Sequence, residues 1–260
     1  MSEKSNKRRL EKIIVPVLFF IGGFLLWEGL ASVSNIPEFL LPKPSKIVVE
    51  IVSQFTFFLR HLGITLMIAV SGYLIASLLT FIAAVIFVHS KTIETGLYPY
   101  AIAIKVAPIL AVAPFIILWF GIGIVSKIVI VTLICFFPLL VNTVKGLKTV
   151  DENALELLNS LSASKWQIFL NLRLPSALPF VFQGLKVSST LAMTGAFVGE
   201  FLAANQGIGY LILLYSRILE TTSALAALFM MISVGILFFL LICLLERKIV
   251  FWQKSEGVYN

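Results

Sequence analysis

The chain has 260 residues, of which 59% are hydrophobic and 13% charged, and its mean hydropathy is +1.02. Soluble domains carry about 25% charged residues, so this composition excludes a soluble domain and predicts a bundle of helices in a membrane. The formal net charge of +7 lies at the ends of apolar stretches rather than on one polar face, which argues against a nucleic-acid-binding protein.

Six apolar stretches are long enough to cross a bilayer as helices. They cover residues 13–34, 64–88, 96–120, 127–144, 177–203 and 223–245. The basic start of the chain resembles a signal peptide, but the apolar run after it is too long for one, so we predict an uncleaved first span. The chain then divides into an N-terminal tail (1–12), one transmembrane domain (13–245) and a C-terminal tail (246–260).

Lysine and arginine are distributed unequally between the two sides of the predicted membrane. With the N-terminus inside, thirteen of the twenty lie in cytoplasmic segments, five lie outside, and Lys105 and Lys186 fall within spans. Because cytoplasmic loops carry an excess of positive charge, we predict that both termini are cytoplasmic. The same topology places residues 145–176, the largest inner loop, in the cytoplasm.

A proline-rich stretch follows the first span and ends at Pro44. Ser45 is a candidate cap for a new helix, and apolar residues recur at helical spacing from Ile47 to Leu59. We therefore predict an amphipathic helix on the outer surface.

The third span contains Pro99, Pro108 and Pro114, which predict a bent helix because each removes a backbone donor. It also contains Lys105, and the fifth span contains Lys186. A lysine within a span is costly unless it lines a pathway, forms an ion pair or extends to the headgroups. The sequence leaves these alternatives open.

The polar segment between spans four and five reads DENALELLNSLSASKWQIFLNLRLP, from Asp151 to Pro175. Its leucines and alanines recur at helical spacing up to Leu161, with acidic and amide residues between them. Ser164 and Gln167 form a capping-box pattern that predicts a second short helix, and Pro175 predicts its end. Held between two spans, this unit is predicted to be a rigid docking site for another protein.

The fifth span carries Gly195, Gly199, Ala203 and Gly207 at a spacing of four, a row that lets another helix approach closely. Glu200 lies beside this row, near the outer end of the span. An intramembrane carboxylate marks either a functional site or a structural hydrogen bond to a neighbouring helix, and the sequence favours neither.

The sequence contains no pattern for enzymatic chemistry. It has no G-x-x-x-x-G-K-[ST] phosphate loop, no G-x-S-x-G pattern and no H-E-x-x-H pattern. Cys135 and Cys243 lie inside spans, where they are expected to be small packing residues, and no metal-ligand spacing is present. We therefore predict no catalytic residue, no bound metal and no cofactor.

The segment from Asp151 to Pro175 resembles the EAA signature of bacterial ABC-importer permeases. That signature has the form E-A-A-x-x-x-G, nine residues, then I-x-L-P. The matching residues here are Glu156-Leu157-Leu158, Ser162 and Leu172-x-Leu174-Pro175. The flanks are similar to the nitrate/sulfonate/taurine-type permeases, in stretches that include Trp119-Phe120-Gly121, Phe136-Phe137-Pro138, Gly199-Glu200-Phe201 and Gly207-Ile208-Gly209-Tyr210.

Two features depart from the signature. Ser162 stands in place of its glycine, and Leu157 and Leu158 stand in place of its paired alanines. If the turn requires a positive φ at position 162, serine costs roughly 1 kcal/mol that glycine would not. The leucines enlarge the apolar side of the segment.

The resemblance implies an all-α polytopic membrane protein with the type I ABC importer permease fold and about six transmembrane helices, in the bacterial plasma (inner) membrane. It implies a pore formed with a second permease chain, expected to be an identical copy. The other implied partners are ABC ATPase subunits at the cytoplasmic face and an extracytoplasmic substrate-binding protein. Closure of the ATPases on ATP would pull the two segments together and turn the pore outward.

The resemblance makes this segment the element that couples the ATPase to the pore. The residues expected to serve the coupling are Glu156, Leu157, Leu158, Ser162, Ala163, Ser164, Lys165, Trp166 and Pro175. We expect Glu156 and Lys165 to form surface ion pairs, and the leucines, Ala163 and Trp166 to supply apolar contacts. The residues expected to line the translocation pathway are Lys105, Asn142, Lys186 and Glu200.

The expected substrate is a small organic molecule or anion, of either the sulfonate/taurine/nitrate class or the thiamine pyrimidine precursor/riboflavin class. The stretches 104–108 and 194–200 are more similar to the second class, while the two intramembrane lysines would suit an anion. Two other kinds of protein stay open. An ion-coupled secondary transporter or channel would leave the coupling segment unexplained, and a polytopic membrane enzyme would need a reactive cluster that the sequence does not show.

Overall fold

The computed structural model describes residues 2–34 and 36–252, with side chains from Ile14 onward. The side chains of the basic N-terminal residues, and the tail from residue 253 with Lys254, lie outside the described residues. All regular structure in the described part of the chain is helical. Its helices in chain order are α1 (Ser2–Val33), α2 (Pro44–Ser53), α3 (Phe55–His89), α4 (Lys91–Val106), α5 (Ile109–Phe120), α6 (Ile124–Lys148), α7 (Glu152–Ser160), α8 (Lys165–Ile168), α9 (Leu174–Ala203), α10 (Ile208–Arg217) and α11 (Thr221–Ile249). A π-helical turn, Phe169–Arg173, joins α8 to α9.

Five helical runs are long and apolar enough to cross a membrane, and a bent pair of helices makes a sixth candidate. The five are found in α1, α3, α6, the continuous run Lys165–Ala203, and α11, and the pair is α4 with α5. This confirms the predicted all-α polytopic architecture. The runs extend beyond the predicted spans, since α3 begins at Phe55 rather than residue 64.

The span predicted for residues 96–120 is bent, as its prolines predict, and the bend is sharp enough to divide it into two helices. The chain bends by 102° between α4 and α5, and Ala107 at the bend has an extended backbone (φ −60°, ψ 123°). A residue before proline is disfavoured in the helical region, and Pro108 has no N–H to continue the hydrogen-bond ladder. Pro99 and Pro114 lie inside α4 and α5 without ending them, so the break belongs to Pro108.

The helix end predicted at Pro175 is wrong, because Lys165–Ala203 is one run of 39 residues. In the π turn the Leu174 N–H donates to the carbonyl of Phe169, five residues earlier. Pro175 follows at the second residue of α9, directly after this wider turn, so its missing N–H falls where the regular i→i−4 ladder is already interrupted. The wide π turn therefore carries the helix through the signature instead of stopping it.

The predicted outer amphipathic helix is divided in two. The N-cap of α2 is Lys43 rather than Ser45, and Gln54 separates α2 from α3. The Ser45 hydroxyl and backbone N–H instead donate to the Glu28 carboxylate of α1, at 2.8 and 2.9 Å. The inner side of α2 is fixed by Ile47, which is buried in a cluster with residues of α3, α10 and α11.

Helices α3, α6 and α9 form the core and approach each other through glycines. A Cβ added at Gly72 of α3 would lie 2.5 Å from the Cβ of Val131 on α6. On α9, Cβ atoms at Gly195 and Gly199 would lie 3.1 Å from Val131 and Lys127 of α6. Gly195 and Gly199 of the predicted small-residue row therefore pack against α6 of the same chain. The row does not continue as one helical face, because α9 ends at Ala203 and Gly207 lies in the turn before α10.

Candidate functional site

Helix α7 ends in a Schellman turn that holds Ser162 in a left-handed conformation. The Ser162 N–H donates to the carbonyl of Asn159 at 2.9 Å, and the Ala163 N–H donates to the carbonyl of Leu158 at 3.0 Å. The φ angle of Ser162 is +57°. This position of the turn is usually glycine. The turn therefore does require a positive φ at position 162, the condition under which serine in place of the signature glycine is strained.

Side-chain caps begin both short helices of the segment. Asp151 Oδ1 accepts a hydrogen bond from the Ala154 N–H at 2.8 Å. Ser164 Oγ accepts the Gln167 N–H at 3.3 Å, and Gln167 Oε1 accepts the Ser164 N–H at 2.7 Å. The predicted capping box is therefore confirmed, and short-range hydrogen bonds determine the shape of the segment.

The segment is anchored to the spans by the π turn. Phe169 is 3% exposed and packs in a cluster with Leu147 of α6, and Arg173 Nη1 donates to the Leu147 carbonyl at 3.2 Å. Lys148 at the end of α6 forms an ion pair with Glu94 of α4 at 2.6 Å. The base of the segment is thus tied to α6, and α6 is tied to α4.

Three large apolar side chains point away from the bundle and form what we call the docking crest, Leu157, Leu161 and Trp166. They are 60%, 69% and 62% exposed. Trp166 is held in place by stacking on Phe169, with the ring centroids 5.5 Å apart. Exposed apolar patches rimmed by polar residues mark interaction sites, so the crest has the character of a protein-docking surface.

The other residues of the predicted coupling set lie around the crest. Leu158 and Ala163 are half-buried, while Glu156, Ser164 and Lys165 are exposed. Glu156 and Lys165 form no ion pair within the described part of the chain. Their charges are therefore available to a partner at the rim of the crest.

A second candidate site is a cavity of ≈ 450 Å³ at the break between α4 and α5. It also touches α6 and α9, and its lining is mostly aliphatic. Lys105 lines it, with Nζ 4.8 Å from the centroid of the Phe137 ring, and Thr194 of α9 adds a hydroxyl. A cation over an aromatic face at this distance is an attractive contact. Lys105 therefore lies at the cavity beside the helix break at Pro108, held by its contact with Phe137.

Asn142 and Lys186 bind within the chain. The Asn142 amide donates to the Pro138 carbonyl at 2.7 Å. Lys186 forms an ion pair with Glu246 of α11 at 2.9 Å, and each side chain is about a quarter exposed (24% and 22%). For Lys186 this is the structural pairing that the sequence analysis left open.

Glu200 is completely buried (0% exposed). Its Oε2 accepts hydrogen bonds from the Thr65 hydroxyl of α3 at 3.0 Å and from the Gly209 N–H of α10 at 2.8 Å. Of the two alternatives for Glu200, a functional site or a structural hydrogen bond to a neighbouring helix, these contacts correspond to the structural hydrogen bond. Glu200 Oε1 is buried without a hydrogen-bond partner among the described residues.

Sequence reasoning missed Leu161 of the crest and Thr65 beside Glu200, and it did not indicate that Lys127 is buried. Leu161 follows Leu157 by four residues, so helical spacing could have placed it on the crest. Thr65 is separated from Glu200 by 135 residues, and no local pattern indicates that they meet. The charge pattern counts Lys127 with the outer segments, yet it is 6% exposed, with Nζ 3.3 Å from the carbonyl oxygens of residues 122 and 123.

Comparison with known proteins gives a consistent result. Residues 76–251 match the family model described as "Binding-protein-dependent transport system inner membrane component". The matched region runs from the middle of α3 to the end of α11, so it contains the docking crest, the cavity and Glu200.

The chain is also similar along most of its length to curated permeases. It is 35% identical to the formylaminopyrimidine transport permease protein ThiX of Halalkalibacterium halodurans, over 96% of this chain and 100% of the relative. It is 33% identical to the riboflavin transport system permease protein RibX of Chloroflexus aurantiacus, over 89% and 87%. It is 32% identical to the putative aliphatic sulfonates transport permease protein SsuC of Bacillus subtilis, over 89% and 85%.

Proposed function

Because the chain belongs to the family of binding-protein-dependent transport system inner membrane components, and is a permease subunit of an ABC importer, we propose that the docking crest receives the ATPase subunits of that importer. The observation that carries this proposal is a rigid, capped helix pair that exposes Leu157, Leu161 and Trp166 between two membrane spans. An ion-coupled transporter or channel would have no use for this surface.

In the assembled importer the crest lies on the cytoplasmic side, as do both termini. ATP is hydrolysed by the partner subunits, since the sequence contains no phosphate loop. A second copy of this chain completes the pore, and a substrate-binding protein docks on the opposite face. Lys105 lines the translocation pathway at the broken helix. The family description supports the partnership with a binding protein, the lysine and arginine distribution supports the orientation, and the cavity at the broken helix supports the role of Lys105.

The crest is tested by alanine substitution and co-purification with the ATPase. We expect Trp166→Ala or Leu157→Ala to weaken the association by about 2 kcal/mol, roughly 30-fold in affinity, because a few exposed anchors dominate an interface. The measurement is the amount of ATPase retained on the tagged permease in detergent, and the ATP-driven uptake of the complete importer.

Trp252→Ala is the matched control, since Trp252 is 50% exposed and follows α11, outside the coupling segment. It should leave ATPase binding unchanged. Full retention of the ATPase by both crest variants would remove the basis of the proposal.

For the substrate we propose a small heterocycle of the kind named for two of the relatives, a formylaminopyrimidine or riboflavin. The identities of 35% and 33% support this class. A sulfonate is the second candidate, and the specific observation in its favour is Lys105 at a mostly apolar cavity. Uptake of radiolabelled formylaminopyrimidine, riboflavin and taurine by the complete importer in proteoliposomes would separate the two classes.

A further inference from the structure

The turn before α10 is held by side chains from two other helices. Three successive N–H groups at this helix start donate to side chains, Gly207 to His61 Nδ1 (3.1 Å), Ile208 to Thr65 Oγ1 (2.8 Å) and Gly209 to Glu200 Oε2 (2.8 Å). The first N–H groups of a helix have no partner within it. Here α3 and α9 supply those partners, and Thr65 also donates to Glu200. We call these residues the α10 clamp.

The clamp leaves no room for the turn to move independently of Glu200. A Cβ at Gly207 would lie 2.2 Å from the Glu200 carboxyl carbon, and a Cβ at Gly209 would lie 2.9 Å from the Glu200 Cβ. Gly207 also has a φ of +109°. The backbone of the turn is therefore pressed against a side chain that is itself 0% exposed.

Glu200 lies near the far end of the helical run that begins at the docking crest. The run Lys165–Ala203 has 39 residues, so at a rise of about 1.5 Å per residue it is about 58 Å long. The two ends of α3 show that the run crosses the bundle. His89, at one end of α3, lies 5.8 Å from Phe169 beside the crest, while His61, near the other end, holds the clamp.

On the side of the clamp, α10 borders an open groove of ≈ 720 Å³. The groove is lined by Tyr215 of α10, by Glu50 of α2 and by Glu220 before α11. It lies on the face opposite the docking crest, the face on which the proposed function places the binding protein. The clamp therefore connects the run Lys165–Ala203, which begins at the docking crest, to α10, which borders the groove.

We propose that Glu200, through Thr65 and Gly209, is the positioning residue that makes α9 and α10 move as one body, so that the nucleotide state of the ATPase alters the groove on the opposite face. A rigid helix carries a displacement only to elements that are bound to it. Residues 204–207 join α9 to α10 along the chain, and the buried carboxylate fixes the start of α10 against the end of α9. This proposal rests on the proposed function, because it requires the ATPase to act on the crest.

The test follows a label on α10 in the complete complex of permease and ATPase in nanodiscs. Ser216 is exposed on α10, so Ser216→Cys provides the label site. Cys243 is replaced by alanine in this background, and Cys135 is kept because it is buried. The rate of reaction with a fluorescent maleimide is measured without nucleotide and with ATP and vanadate. In the wild-type clamp we expect the nucleotide to change this rate about five-fold or more.

Two substitutions break the clamp and two preserve it. Thr65→Val and Glu200→Leu remove its hydrogen bonds with little change in volume, and we expect the nucleotide-dependent change in labelling to disappear while basal ATPase activity remains. Thr65→Ser and Glu200→Gln keep a donor or acceptor at the same place and should retain the change. If one breaking variant does not assemble, as judged by size exclusion, the other provides the measurement.

Thr80→Val is the matched control. Thr80 is on the same helix as Thr65, is 1% exposed, and donates to the Phe136 carbonyl of α6 at 3.3 Å, so its loss removes an interhelical hydrogen bond outside the clamp. It should label as the wild type does. A nucleotide response that persists in Thr65→Val and Glu200→Leu overturns the clamp proposal, whereas a wild-type permease that retains no ATPase overturns the proposed function instead.

Discussion

Ser162 carries the cost of a signature position that is normally glycine. Its φ of +57° lies in the left-handed region, and its N–H completes the Schellman turn with Asn159. A side chain in this region is strained by roughly 1 kcal/mol. The turn keeps its geometry because the caps at Asp151 and Ser164 hold the helices on both sides.

Ser162→Gly should therefore stabilise the permease by about 1 kcal/mol, because glycine adopts a positive φ without strain. The measurement is thermal unfolding in detergent, followed by fluorescence-detected size exclusion. Ser160→Gly is the control, since Ser160 lies in the last turn of α7 and glycine is unfavourable within a helix. A lower midpoint for Ser162→Gly would show that the serine makes a contact worth more than the strain.

Helix α3 illustrates how the elements of the core depend on close approach. A Cβ at Gly72 would collide with Val131 of α6, whereas a Cβ at Gly63, nine residues earlier on the same helix, would have no atom within 4 Å. Packing rather than a hydrophobic driving force holds helices together in lipid. The two glycines therefore have opposite consequences, although the sequence presents them alike.

Gly72→Ala should destabilise the permease by about 1–3 kcal/mol, because the new methyl group overpacks the contact with α6. Gly63→Ala should be neutral or stabilise by up to about 1 kcal/mol, through the better helix propensity of alanine. Thermal unfolding of the two variants side by side provides the measurement. Equal midpoints would mean that α3 and α6 separate easily at this point.

The bundle as a whole has two unlike faces. The docking crest projects at the end where His89 meets Phe169, and α10 with its groove lies at the end where His61 meets Gly207. The lysine and arginine distribution predicts that the crest face is cytoplasmic. The proposed importer mechanism requires this orientation, because ATP is available only on that side.

The orientation can be measured by labelling single cysteines in spheroplasts with a membrane-impermeant maleimide. In a Cys243→Ala background we expect Ser216→Cys on α10 to react in intact spheroplasts, and Ser160→Cys on α7 to react only after permeabilisation. Both serines are exposed, so accessibility within the chain is matched. The reverse pattern would invert the topology and exclude the crest as an ATPase site.

Neighbouring residues alone were enough to predict the membrane class, the number of helical spans and the capped helices of the segment from Asp151 to Pro175. Apolar runs of sufficient length, the asymmetry of basic residues and the caps of α7 and α8 are all local properties of the chain. Contacts between distant residues required the folded molecule. It showed that Pro108 breaks its span while Pro175 is carried through by a π turn, because a proline's effect depends on what takes up the freed backbone groups. The folded molecule also showed that Glu200 binds Thr65, which is 135 residues away. A buried carboxylate is costly without hydrogen-bond partners, and only the tertiary structure determines which residues supply them.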